Sequence, residues 1–116
     1  MGTEQTERAE LTNPKGVWEH KDEVQILDVR EPYEWEAGRI EDAVHVPLNE
    51  VMGGAGEFDQ DKPVVVVCRS GNRSELATLM LRARGLEAYN LEGGMEAWEQ
   101  EKLPFSAADG GPGRVA

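Results

Sequence analysis

The chain of 116 residues is 39% hydrophobic and 30% charged with a formal charge of −11, a composition suited to one domain that buries about two-thirds of its unfolded surface without disulfides or metal. So acidic a balance argues against nucleic acid or an anionic membrane surface as partner; no apolar run reaches the ~18 residues of a membrane span, and the N-terminus lacks the basic and apolar regions of a signal peptide. The single cysteine cannot close an internal bridge, which suits a reducing compartment and leaves the thiol free for chemistry, so a soluble, cytoplasmic protein is expected.

Residues 1–8 are polar and acidic and read as a disordered N-terminal segment, with Ala9 to Thr12 able to join a sheet edge; residues 9–105 read as the folded domain. Pro14 after Asn13 starts a helix running to about His20. Val24 to Val29 reads as a buried strand ending in Asp28-Val29-Arg30. Glu31 to Ala37 is a short helical segment with Pro32 near its first position, stopped by Gly38. A short strand at Ala43 to Val46 is closed by Pro47, and a short helix from Leu48 to Met52 follows. Gly53, Gly54 and Gly56 mark a flexible connection. Val64 to Val67, four β-branched residues after Pro63, reads as a strand buried on both faces. A helix then runs to Arg84 and stops at Gly85, with Leu76, Leu79, Met80 and Ala83 as its apolar face. A strand at Glu87 to Asn90 and a last helix from Met95 to about Lys102 complete the domain. Residues 106–116 are rich in Gly and Ala without an apolar pattern and read as a flexible tail. Strands alternating with helices predict an α/β fold, a mostly parallel central sheet with helices on both faces, whose ligands bind at the carboxyl ends of the strands.

Cys68 stands at such an end. The segment Cys68-Arg69-Ser70-Gly71-Asn72-Arg73-Ser74 joins a buried strand to a helix N-terminus, where unpaired backbone N–H groups and the helix dipole favour an anion and lower a nearby thiol's pKa. Gly71 can take backbone angles closed to other residues, so successive amides can turn inward around the sulfur. Asn72 or Ser74 is suited to cap the helix, and Glu75 falls three residues after Asn72, as a capping box requires. Arg69 and Arg73 add full charges beside the thiol. Four arginines against Glu75 put +3 on residues 69–84 and leave −14 on the remainder. Arg82 and Arg84 read as a solvated helix end, where cations suit the dipole. A core role for Cys68 would give two arginines and a helix start no purpose.

The stretch from Cys68 to Arg73 resembles the six-residue active-site loop of single-domain members of the rhodanese-like sulfurtransferase family. Two further stretches agree at family spacing, L-D-V-R-E-P-Y-E-W-E-A-G-R-I-E-D-A-V-H-V-P-L from Leu27 to Leu48 and L-E-G-G-M-E-A-W from Leu91 to Trp98. One departure is Arg39, where the family often has His. The resemblance implies a rhodanese-like domain and a double displacement: the Cys68 thiolate takes the outer sulfur of a donor such as thiosulfate, sulfite leaves, and a thiol or cyanide acceptor collects sulfur from the Cys68 persulfide. It further implies that Arg69, Ser70, Gly71, Asn72, Arg73 and Ser74 bind the substrate through amides, hydroxyls and charge, and that no cofactor is used. The partners would be a small anionic sulfur donor and a thiol acceptor, a thiol protein among the options.

Asp28, Arg30 and Trp35 are candidates for the pocket rim; the plainer reading pairs Asp28 with Arg30, Arg30 reaching Glu34 or a loop carbonyl. Trp18, Trp35 and Trp98 read as core fillers, Trp35 also as a pocket wall. One cysteine and the scattered His20 and His45 make no recognisable zinc site, so no metal is expected, and nothing orients His45 as a base for Cys68. The myristoylation-like start Met1 to Thr6 and the glycosylation-like Asn72-Arg73-Ser74 are read as coincidences. Two alternatives remain. One is a rhodanese module that carries persulfide sulfur or recognises a partner without turnover. The other is a cysteine phosphatase or arsenate reductase, whose C-x5-R loop is one residue longer than the present one.

Overall fold

The computed structural model describes residues 9–116; the expectation for residues 1–8 lies outside the described residues. Strands β1 (Gln25–Asp28), β2 (Val44–His45), β3 (Val64–Val67) and β4 (Ala88–Asn90) form a parallel sheet in the order β2-β1-β3-β4. The connecting helices are α1 (Pro14–Glu19), α2 (Pro32–Ala37), α3 (Leu48–Met52), α4 (Asn72–Ala83) and α5 (Gly94–Gln100).

Side chains alternate across the sheet because successive residues of a strand point to opposite faces. Ile26, Val65 and Val67 join Val17 of α1 and Met95 and Trp98 of α5 in one core. Leu27, Val64 and Val66 join Val51 of α3 and Ala77 and Leu81 of α4 in the other. With helices on both sides, all four valines of β3 are buried, as the β-branched run predicts. The register sets Leu27 against Val66 and Asp28 against Val67, and Val66 against Asn90. The carboxyl ends of the three strands therefore lie side by side.

Three expectations change. The buried line of α4 is Ser74, Ala77, Thr78 and Leu81, while Leu76 and Leu79 are exposed. Polar residues hold that line because their hydroxyls are satisfied, Thr78 Oγ1 donating to the Ser74 carbonyl at 2.7 Å. The tail is held rather than loose. Its amides at Ala108 and Arg114 donate to the carbonyls of Glu36 and Ala37 at 3.0 and 2.9 Å, Ser106 pairs with Arg39, and Val115 packs on the first core. The free carbonyls of the last turn of α2 need donors, and the tail supplies them without any apolar periodicity. Arg82 and Arg84 are more than a solvated helix end: Arg82 donates to the Ala88 carbonyl, and Arg84 to those of Ala55 and Gly56.

The tryptophans divide by burial. Trp98 is wholly buried and its indole N–H donates to the Pro104 carbonyl at 3.0 Å; Trp18, 38% exposed, meets it edge to face. Truncating Trp98 to Ala should therefore cost about 3–5 kcal/mol of stability in urea unfolding. Truncating Trp18 should cost clearly less, and equal costs would contradict this division of the core.

Candidate active site

Cys68 follows the last residue of β3 and its residue is 1% exposed. The Gly71 N–H donates to its sulfur at 3.0 Å, and the Ser74 hydroxyl lies within donating distance of it at 3.3 Å. Burial pushes the thiol pKa up and is the largest single influence. The Ser74 hydroxyl and the amides of Ser74, Gly71 and Ser70 together outweigh it, so the thiol lies below its ordinary value.

Gly71 itself is the N-cap of α4, with φ 104°. The expected side-chain cap from Asn72 or Ser74 is absent, because the left-handed turn at Gly71 already turns the chain into the helix and the Ser74 hydroxyl faces Cys68 and Asn90 instead. The capping box lies elsewhere, between Glu31 and Glu34 at the start of α2.

The first turn of α5 lies against the loop. Met95 N–H donates to the Cys68 carbonyl at 2.8 Å and Glu96 N–H to that of Arg69 at 3.0 Å, so the first free amides of α5 satisfy the loop's backbone. A Cβ on Gly94 would come within 2.3 Å of the Cys68 carbonyl oxygen. Only glycine allows that approach.

Arg73 forms a two-pronged pair with Glu34 at 2.7 and 2.8 Å. Glu34 is 2% exposed and also accepts from the Glu31 N–H. Burial pushes its carboxyl up, but Arg73 and the Glu31 amide hold it below its ordinary value, and Glu34 in turn raises the Arg73 pKa. Arg69 meets Glu96 at 3.2 Å on the open surface, a contact worth at most about 1 kcal/mol and easily exchanged. Both loop arginines thus have carboxylate partners.

The three rim candidates sit differently. Asp28 and Arg30 are 1% and 0% exposed and bind one another through Nε and Nη2, Nη2 also donating to the Gly38 carbonyl at 2.6 Å. They are an interior pair behind the site, of the plainer kind considered, rather than a rim. Trp35 stacks on His45 at 4.8 Å and carries the Arg39 guanidinium 4.6 Å above its ring. Trp35 lines a cleft with Arg39, Asp42 and Ser106 of the docked tail, and none of the loop residues 68–74 lines that cleft. Arg39, the residue that departs from the family pattern, is thus engaged with Trp35. His45 Nε2 pairs with the Arg30 carbonyl at 2.7 Å, so it too belongs to this supporting layer.

Two residues that the sequence does not tie to the loop belong with it: Glu34, expected only as a partner of Arg30 and found paired with Arg73, and Asn90. Asn90 donates from Nδ2 to the Gly71 carbonyl at 3.0 Å and accepts the Ser74 hydroxyl on Oδ1. The available signal was position: Asn90 ends the strand beside β3, at the carboxyl edge where ligands of parallel sheets bind. Among the described residues there is no group of three or more His, Cys, Asp or Glu able to hold a metal ion, and no helix long and apolar enough to cross a membrane.

A strand ending in a cradled cysteine, on a small parallel sheet, is matched by known proteins. The family model of the Rhodanese-like domain matches residues 13–101, and the chain belongs to that family. It is 39% identical over 74 residues to a protein of Pseudomonas syringae pv. syringae named thiosulfate sulfurtransferase GlpE, covering 63% of this chain and 70% of that one. It is 37% identical over 90 residues to a sulfurtransferase of Allochromatium vinosum, covering 77% and 84%. Among solved structures, the rhodanese-related protein of Thermoplasma volcanium superposes with a TM-score of 0.77 at 33% identity, over 81% of this chain and 94% of that one.

The Glu34 pair gives the loop an acid limit. Because the carboxyl lies below its ordinary value of 4.5 in the folded protein, the pair's contribution is complete above the unfolded value and is lost as pH falls below it, through the folded one. Glu34→Gln should cost about 1–3 kcal/mol at neutral pH and flatten the loss of stability between neutrality and acid. An acid limb identical to that of the wild type in chemical unfolding would contradict this role.

Proposed function

We propose that this protein is a sulfurtransferase that moves sulfane sulfur from a small anionic donor such as thiosulfate to a thiol, a protein thiol or cyanide, through a persulfide on Cys68. The observation that carries the reading is the sulfur of Cys68 held between the Gly71 amide and the Ser74 hydroxyl at the end of β3. A thiol below its ordinary pKa has a larger thiolate fraction near neutrality, and the thiolate is the nucleophile.

In the first half-reaction the thiolate attacks the outer sulfur of thiosulfate. The new bond joins that sulfur to Sγ, the sulfur–sulfur bond of the donor breaks, and its electron pair leaves with sulfite. The anionic charge passes to the outer sulfur of the persulfide, where amides of residues 69–74 are its natural hydrogen-bond donors. Such donors are already oriented when charge arrives, so they stabilise it without reorganisation. In the second half-reaction an acceptor thiolate or cyanide attacks the outer sulfur, and Cys68 leaves as the thiolate. No cofactor takes part.

Arg69 is assigned the donor's oxygens, since its contact with Glu96 is exposed and exchangeable. Arg73 is assigned to loop structure through Glu34. Asn72 and Ser70 contribute backbone N–H groups. The spacing Cys68 to Arg73, with four residues between, supports sulfur over a phosphate-sized oxyanion. Single-cysteine composition favours a reducing compartment such as the cytoplasm, and the acidic surface disfavours nucleic acid and anionic membranes.

Incubation with thiosulfate should add ~32 Da to the intact mass, one sulfur removable by a thiol reductant. Cys68→Ser should take up none while unfolding at the same denaturant concentration; sulfur uptake by that variant would refute the assignment. Steady-state turnover of thiosulfate with cyanide or a small thiol distinguishes a catalyst from a module that only carries sulfur: stoichiometric loading without turnover would favour the carrier.

A further inference from the structure

Asn90 touches the loop at two points, and the two contacts set its orientation. A carbonyl only accepts, so the amide NH2 must face Gly71 and the amide oxygen must face Ser74. The Ser74 hydroxyl also lies 3.3 Å from the Cys68 sulfur. A hydroxyl carries one proton. It cannot donate to Asn90 and to the sulfur at once.

We propose that Asn90 is a positioning residue for the reacting sulfur, which holds Gly71 in the left-handed turn that aims its N–H at Sγ and competes with Sγ for the single Ser74 proton. The inference rests on the persulfide reading of Cys68 for its purpose, although its test does not require sulfur transfer. While Cys68 is a neutral thiol, the amide oxygen is the stronger acceptor and the hydroxyl points to Asn90. When Sγ carries the charge, a charged acceptor outweighs a neutral one and the hydroxyl turns to the sulfur. Once the persulfide forms, the charge sits on the outer sulfur and the hydroxyl returns to Asn90. The proton stays on the Ser74 oxygen throughout; only its direction changes. Ser74 thereby stabilises the inner sulfur as it attacks the donor and again as it departs in the second half-reaction, with Asn90 holding the proton in between.

The other charged and titratable groups around the loop are Arg73 with Glu34 and nearby Tyr33 from α2, Arg69 with Glu96 of α5, and Glu75 within the first turn of α4. All of them are left untouched by substitutions at positions 74 and 90. The thiol can therefore be titrated by following the rate of iodoacetamide alkylation against pH in wild type, Asn90→Asp, Ser74→Ala and the double variant. A carboxylate at position 90 is a permanent competitor for the hydroxyl and removes the donor to Gly71, so Asn90→Asp should raise the thiol midpoint by about one pH unit. In the Ser74→Ala background the part routed through the hydroxyl is gone, and the same substitution should raise it by about half as much. Asn90→Ala gives the opposite asymmetry. It also drops the Gly71 contact, but it frees the hydroxyl for the sulfur, so it should raise the midpoint less with Ser74 present than in the Ser74→Ala background.

Thermal unfolding of each variant shows whether it is folded, and the alanine pair completes the cycle if Asn90→Asp does not fold. Equal shifts in both backgrounds would overturn the proposal, as would a midpoint indifferent to position 90. If the coupling appears while wild type takes up no sulfur from thiosulfate, the persulfide reading fails and the role of Asn90 in tuning the thiol stands. If sulfur is taken up without the coupling, the reverse holds.

Discussion

An anionic sulfur inside protein needs the hydrogen bonds that water would have given it, and the rest of this structure follows from supplying them. Burial alone would hold Cys68 protonated and inert. The Gly71 amide and the Ser74 hydroxyl, with the further loop amides, more than offset that effect. They do so only while they stay aimed at the sulfur. A loop free to relax would turn its N–H groups toward solvent, and the thiol would return to its ordinary value.

Three ties keep the loop from relaxing, and each comes from a different element. Glu34 of α2 grips Arg73 at the loop's far end, the amides of Met95 and Glu96 pin the carbonyls of Cys68 and Arg69, and Asn90 of β4 holds Gly71 in the middle. The parallel sheet brings them together, since it places the carboxyl ends of β1, β3 and β4 side by side. The buried Asp28–Arg30 pair belongs to the same logic one layer back. By binding the Gly38 carbonyl, Arg30 joins the end of β1 to the end of α2, the helix that carries Glu34.

What was legible in the sequence was local. Four valines can only satisfy a strand buried on both faces, and a cysteine directly before a glycine-containing loop and a helix start follows from adjacency alone. The apolar spacing of Leu76, Leu79 and Met80 points to the wrong face of α4, because the inward line includes two polar residues: the helix turns Ala77 and Leu81 inward along with Ser74 and Thr78, whose hydroxyls are satisfied. The tail misled in the other direction: it has no apolar pattern, yet backbone donors suit the end of α2. Glu34 and Asn90 lie 39 and 16 residues from their loop partners Arg73 and Ser74. No periodicity links positions so far apart, and only the sheet order reveals them.

The charge distribution then takes on a different meaning from the one its total suggests. A chain of −11 is a poor host for anions, and pairing both loop arginines with carboxylates removes most of the local excess of positive charge. Yet net charges more than about 8–10 Å away are screened by salt, whereas an amide 3.0 Å from the sulfur is not. The site therefore does not need a positive protein. It needs fixed dipoles at contact distance, and Arg73 serves it by anchoring, through Glu34, the loop that carries them.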